Sequence, residues 1–215
     1  MKDYVTALET SAEAEGQRAL LARIIAQPAL HARLVNTFSR MEYVGVRKIL
    51  KSRRSEAIDL DGLQHILDET VHALRLKKAA LALAGVAGAG VSTYAAGDTL
   101  GGDAGEDYLQ GVDHAAEEAL FDLDEAVRVD INYLLTSAAI EVRAQAFYPM
   151  YEGELRSAGV NVSVAAIMKD EDRHLGEMAE GLAAKLPDWR SRLERVLVAE
   201  RGLFTRFVNA IAAAA

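Results

Sequence analysis

The sequence predicts an all-helical protein, and three observations carry that prediction. Hydrophobic residues make up 51% of the 215 positions, with Ala, Leu and Val prominent, and there are only three prolines. Long stretches repeat their apolar residues at three- and four-residue steps, and none alternates as a half-buried strand does. A chain of this length can bury a large core as one domain, so residues 1–215 are read as a single unit. An N-terminal amphipathic helix is expected over about 5–26, through Leu8, Ala12, Leu20 and Ile24, ended by Pro28. A second helix runs from about Pro28 to Lys51, with proline suited to its opening turn. After a polar link, Asp59 or Asp61 can cap a third, which continues to about Ala84.

The texture then changes. Seven glycines fall within the 21 residues from Gly85 to Gly105, too many for a helix interior and right for a long crossover. The segment from Gly88 to Asp107 is also a candidate entry gate, because long loops often carry function. The next helix starts at about Ala115 or Asp124 and extends to Ser157, with a kink or break expected at Pro149. Asn161 or Ser163 can cap its successor, which ends near Leu186. A last helix, 189–213, presents Leu193, Val196, Phe204, Phe207 and Ile211 to the bundle or to a second copy of the chain.

The polar residues on the apolar stripes point to function. In Met168-Lys169-Asp170-Glu171-Asp172-Arg173-His174, Glu171 and His174 fall among Val164, Ile167, Met168, Leu175, Met178 and Leu182. A carboxylate and an imidazole three residues apart on one helical face can share a ligand. Burying both is costly without compensation, and a bound cation supplies it. The pattern recurs at Glu69 and His72, and each pair has a lone inward glutamate upstream, Glu42 and Glu141, at separations of 27 and 30 residues. Two antiparallel helices of about 20 residues joined by a short turn would bring each glutamate level with its pair. Asp68 and Asp170, directly before the paired glutamates, can accept the second imidazole N–H across the bundle. Arg173 can brace those acids, and Tyr148 is a candidate neighbour of the site. His31, His65 and His114 have no such partners and are expected at the surface or at helix ends.

The order Glu42, Glu69-x-x-His72, Glu141, Glu171-x-x-His174 resembles the ligand set of the ferritin-like di-iron and di-manganese carboxylate bundles. The likeness spans about residues 30–186 and implies an antiparallel four-helix bundle with one long crossover and extra N- and C-terminal helices. It further implies that Glu69 and Glu171 bridge two iron (or manganese) ions, that Glu42 and Glu141 are terminal, and that His72 and His174 take one metal each. These six would be the catalytic set. Asp170-Glu171-Asp172-Arg173-His174 is also similar to the Asp-Glu-x-Arg-His signature of the oxygen-activating branch, which includes bacterial multicomponent monooxygenases and acyl-carrier desaturases. The first pair departs from that signature, with Val71 where the branch has arginine. Four carboxylates and two divalent ions would make a neutral first shell, which suits burial.

Composition narrows the functions. A net charge of −8 disfavours a nucleic-acid partner, since phosphate binding draws on clustered Lys and Arg. The basic run Lys48, Lys51, Arg53 and Arg54 is expected as a solvated helix end, or else a docking patch for an acidic electron donor. With no cysteine the chain carries no thiolate redox relay, so electrons must come from an external donor. No apolar leader and no run of ~20 uncharged apolar residues is present, so a cytoplasmic location without membrane partners is expected. The function expected first is an oxidase or monooxygenase that uses dioxygen on a small organic substrate. A rubrerythrin- or manganese-catalase-like enzyme acting on peroxide, an iron store and a metal-free structural bundle are the alternatives. A homodimer is expected from base rates and the apolar last helix.

Overall fold

The computed structural model describes residues 1–52, 58–88 and 90–215, and among these it is all-helical, with no strand. The elements in chain order are α1 (Lys2–Glu9), α2 (Ala12–Ile25), α3 (Pro28–Ser52), α4 (Leu60–Ala87), α5 (Ala104–Ala119), α6 (Glu125–Ser157), α7 (Ala165–Lys185) and α8 (Trp189–Ala214). Three helix pairs pack most extensively: α3 with α4, α6 with α7, and α5 with α8. The first two pairs carry every glutamate and histidine of the predicted ligand set. They share a continuous apolar core that includes Leu34, Val35 and Phe38 of α3, Leu76 and Ala80 of α4, Leu135 and Ala138 of α6, and Ile167 and Leu182 of α7. None of the described helices is long and apolar enough to cross a membrane.

Local chemistry explains most boundaries. Asp59 caps α4 by accepting a 2.8 Å hydrogen bond from the Gly62 amide. Gly88 ends α4 in the left-handed conformation, φ 68°, where a side chain would be strained. The expected N-terminal helix is instead two: Ser11 is extended, φ −69° and ψ 153°, and separates α1 from α2. Thr10 turns its hydroxyl back onto the Thr6 carbonyl, the local competition by which such residues end helices. The expected break at Pro149 does not occur, since α6 runs through it over 33 residues. Ser163 does serve the start of α7, accepting from the Ala165 amide, while the Glu152 carboxylate accepts from the Val164 amide and so ties α6 to α7. Arg53 and Arg54 lie outside the described residues; Lys48 is drawn into an ion pair with Asp113.

The glycine-rich connection is shorter than expected and is fastened to α3. Asn36 donates to the carbonyls of Thr93 and Asp98, Arg33 to that of Thr99, and Thr37 to that of Leu100, each at 2.7–3.1 Å. Lys77 adds the carbonyl of Val91. After it comes α5, a separate helix that lies against α8 rather than an early part of α6. Their approach is close at Gly111, where a Cβ would run into the Leu203 side chain. A buried polar knot joins α5, α6 and α8, in which Glu200 accepts both forks of Arg143 at 2.8 Å and the Tyr108 hydroxyl at 2.9 Å. The apolar stripe of α8 is thus covered within the chain, with Phe207 stacked on Tyr108 and Phe204 edge-on to it.

Candidate metal centre

The six predicted residues come together. Glu69, His72, Glu141, Glu171 and His174 are all at most 6% exposed. Their ligand atoms form two overlapping groups, one of Glu42, Glu69, His72 and Glu171, the other of His65, Glu69, Glu141 and His174, with atoms within 4.8 Å of one another in each. Either group could hold a metal ion; Glu69 belongs to both. His174 Nδ1 stands 2.9 Å from Glu171 Oε2, 3.6 Å from Glu69 Oε1 and 3.8 Å from Glu141 Oε1. His72 Nδ1 stands 3.3 Å from Glu171 Oε1. Each ring therefore turns Nδ1 inward and Nε2 outward.

The outward nitrogens meet the two aspartates across the bundle. His72 Nε2 lies 3.2 Å from Asp170 of α7, and His174 Nε2 lies 3.3 Å from Asp68 of α4. These reciprocal contacts hold each imidazole's orientation. Arg173 binds Asp68 directly and Glu177 at 2.7 Å, so it braces one of the two acids. Tyr148 donates a 2.5 Å hydrogen bond to Glu42 Oε1 and orients that carboxylate.

Electrostatics shows what this cluster requires. Burial and the neighbouring carboxylates push Glu42 and Glu141 well above the ordinary carboxylate range. Burial and the charge of Glu171 raise Glu69 to about 7. Glu171 moves the other way: burial would raise it, but contact with His174 and His72 holds it low. Burial opposes protonation of His72, yet Glu171 and its neighbours raise the ring to about 10, and His174 is raised for the same reason. Protons on these groups thus stand where positive charge is wanted. Among the described residues, the buried atoms Glu69 Oε1 and His72 Nδ1 have no hydrogen-bond partner, and both face into the cluster. Unpaired inward atoms among carboxylate oxygens and imidazole nitrogens fit a bound metal ion.

Sequence reasoning missed one member. His65, expected at the surface, is 3% exposed, with Nε2 3.2 Å from Glu69 Oε1 and Nδ1 2.6 Å from the Tyr133 hydroxyl. The signal was there: His65, Glu69 and His72 are spaced four and three apart, one face of a helix. His31 is also buried rather than exposed, bonded to Tyr151 at 2.6 Å. Only His114 of the three is exposed. Tyr43 is 47% exposed and stacks on Tyr94. Thr70 is exposed and bonds back to the Ile66 carbonyl.

Beside the cluster lies a cavity of about 190 Å³ with mainly apolar walls, among them Phe38, Ile49, Ile140, Ala144, Phe147 and Phe204. Glu42, Glu69, Glu141, Glu171 and His65 also line it, whereas His72 and His174 do not. Comparison of the chain with family models, with curated proteins and with solved structures returned no match. Fold and site define the class: an all-helical protein with buried carboxylate and imidazole groups able to hold metal, compatible with a di-iron carboxylate bundle.

Proposed function

We propose that this protein is a dinuclear non-haem iron (or manganese) oxidoreductase that uses dioxygen on a small, apolar organic substrate. Glu42, Glu69, His72, Glu141, Glu171 and His174 are its six metal-holding residues. The observation that carries this reading is the apolar cavity opening onto the four carboxylates, which a peroxide-consuming or iron-storing bundle does not need. A bound pair of redox-active ions would supply the reducing equivalents for dioxygen.

The chain's own residues do the rest. Aromatic and aliphatic walls exclude water and bind the substrate by its apolar surface. A dry cavity of roughly 150 Å³ accommodates benzene, so the space here suits a molecule of about one ring. Asp68 and Asp170 fix the two imidazoles, and Tyr148 fixes Glu42. The chain has no cysteine, so a separate donor must return the electrons.

The test is anaerobic loading with Fe(II), followed by rapid mixing with dioxygen or with peroxide, with and without a chemical reductant. Donor-dependent oxygen consumption, accelerated by single-ring apolar compounds, is expected. Fast peroxide turnover without a donor would replace this reading with a peroxidase or catalase. Failure to retain any metal would leave a structural bundle.

A further inference from the structure

We propose that His65 is a third imidazole ligand, which makes the two metal positions chemically unequal. This inference rests on the dinuclear reading above but goes beyond its six residues. One position, among His65, Glu69, Glu141 and His174, takes two imidazoles; the other, among Glu42, Glu69, His72 and Glu171, takes one.

The helices α4 and α7 present matching sequences to the centre, Asp-Glu-x-x-His in each, at 68–72 and 170–174. Four residues before the paired glutamate the match ends: α4 has His65 and α7 has Ile167. The asymmetry is therefore written into the chain. One helical turn separates His65 from Glu69, so its ring points along the same inward face.

Geometry gives the ring two distinct contacts. Its Nδ1 meets the Tyr133 hydroxyl at 2.6 Å, a partner that fixes ring orientation as second contacts of metal-bound histidines do. Its Nε2 faces Glu69 Oε1 at 3.2 Å, yet that oxygen has no hydrogen-bond partner. An imidazole nitrogen and a carboxylate oxygen close together without a proton aligned between them are arranged for a shared cation. The His174 ring lies alongside, 4.2 Å between centroids. His65 also borders the apolar cavity, so the two-imidazole position has a ligand on the substrate side. A neutral ligand completes that position without adding negative charge to a cluster that already holds four carboxylates.

Two measurements test this without reading turnover. In the wild-type protein loaded with Co(II), the N–H of each ligating ring gives a strongly shifted exchangeable proton signal. Three such signals are expected, and the one from His65 should move or exchange faster in Tyr133→Phe. Only two signals, neither affected by Tyr133→Phe, would overturn the proposal. Titration of His65→Ala with Co(II) should show one ion bound normally and the other weakened by at least roughly tenfold, recovering with added imidazole. Two ions bound as in the wild type would also overturn it, while leaving the dinuclear reading intact. A wild-type protein that binds no Co(II) would remove both.

Discussion

Loading the centre with metal should expel protons, and the structure shows which groups supply them. In the metal-free protein, burial and carboxylate repulsion favour the protonated forms of Glu42 and Glu141. At pH 7 Glu69, raised to about 7, holds about half a proton, while Glu171 holds none. His72, raised to about 10, carries a proton beyond its neutral form, and His174 is shifted the same way. His65, depressed to about 3 by burial and by the nearby His174, contributes none. Taken as one coupled unit, the cluster gives up more than one proton when two divalent ions enter, at least those of His72 and in part Glu69. Overall affinity for the ion pair should therefore rise by more than about one order of magnitude per pH unit near neutrality. Calorimetric titration with Mn(II) in buffers of different ionisation enthalpy reads the number directly. Release of fewer than one proton per chain would mean that the ions bind elsewhere, at carboxylates already ionised, and would refute this reasoning.

Three further outcomes follow from the same structure. Asp170→Ala removes the Nε2 partner of His72 and should weaken metal binding by roughly 10–100-fold, measured by competition with a chelator, while the fold is kept. Glu200→Ala strands the buried Arg143 guanidinium and the Tyr108 hydroxyl, and should cost about 3–5 kcal/mol in urea unfolding, whether or not metal is bound. His31, pushed by burial from 6.5 to about 4, stays neutral when folded, whereas the unfolded chain takes up its proton. Its contribution is unchanged above pH 6.5 and is lost as pH falls toward 4, by about 3 kcal/mol. His31→Phe should show a correspondingly shallower acid loss in chemical denaturation at stepped pH.

Periodicity made the long helices readable, because a stripe of apolar residues at helical spacing has one physical explanation. Glu42, Glu69, His72, Glu141, Glu171 and His174 stood out for a related reason: each breaks an apolar stripe, and a charge there demands a partner. His65 did not stand out because it has no carboxylate three residues before it; its partner, Glu69, follows it. The helix α5 begins at the end of the glycine-rich stretch, where Gly105 reads as loop but serves close packing against Met41. A kink or break is expected at Pro149, yet packing on both sides of it, with Tyr148, Met150 and Tyr151 all buried, leaves α6 without a break there. The split between α1 and α2 turns on a single extended residue, Ser11, which no apolar pattern marks.

The most direct test is a count of ions by elemental analysis after anaerobic loading and removal of loosely held metal. Two iron or manganese ions per chain are expected in the wild type, with at least one lost in both Glu171→Ala and His174→Ala. A wild-type protein that keeps none, or variants that keep both, would contradict a dinuclear centre built on these residues.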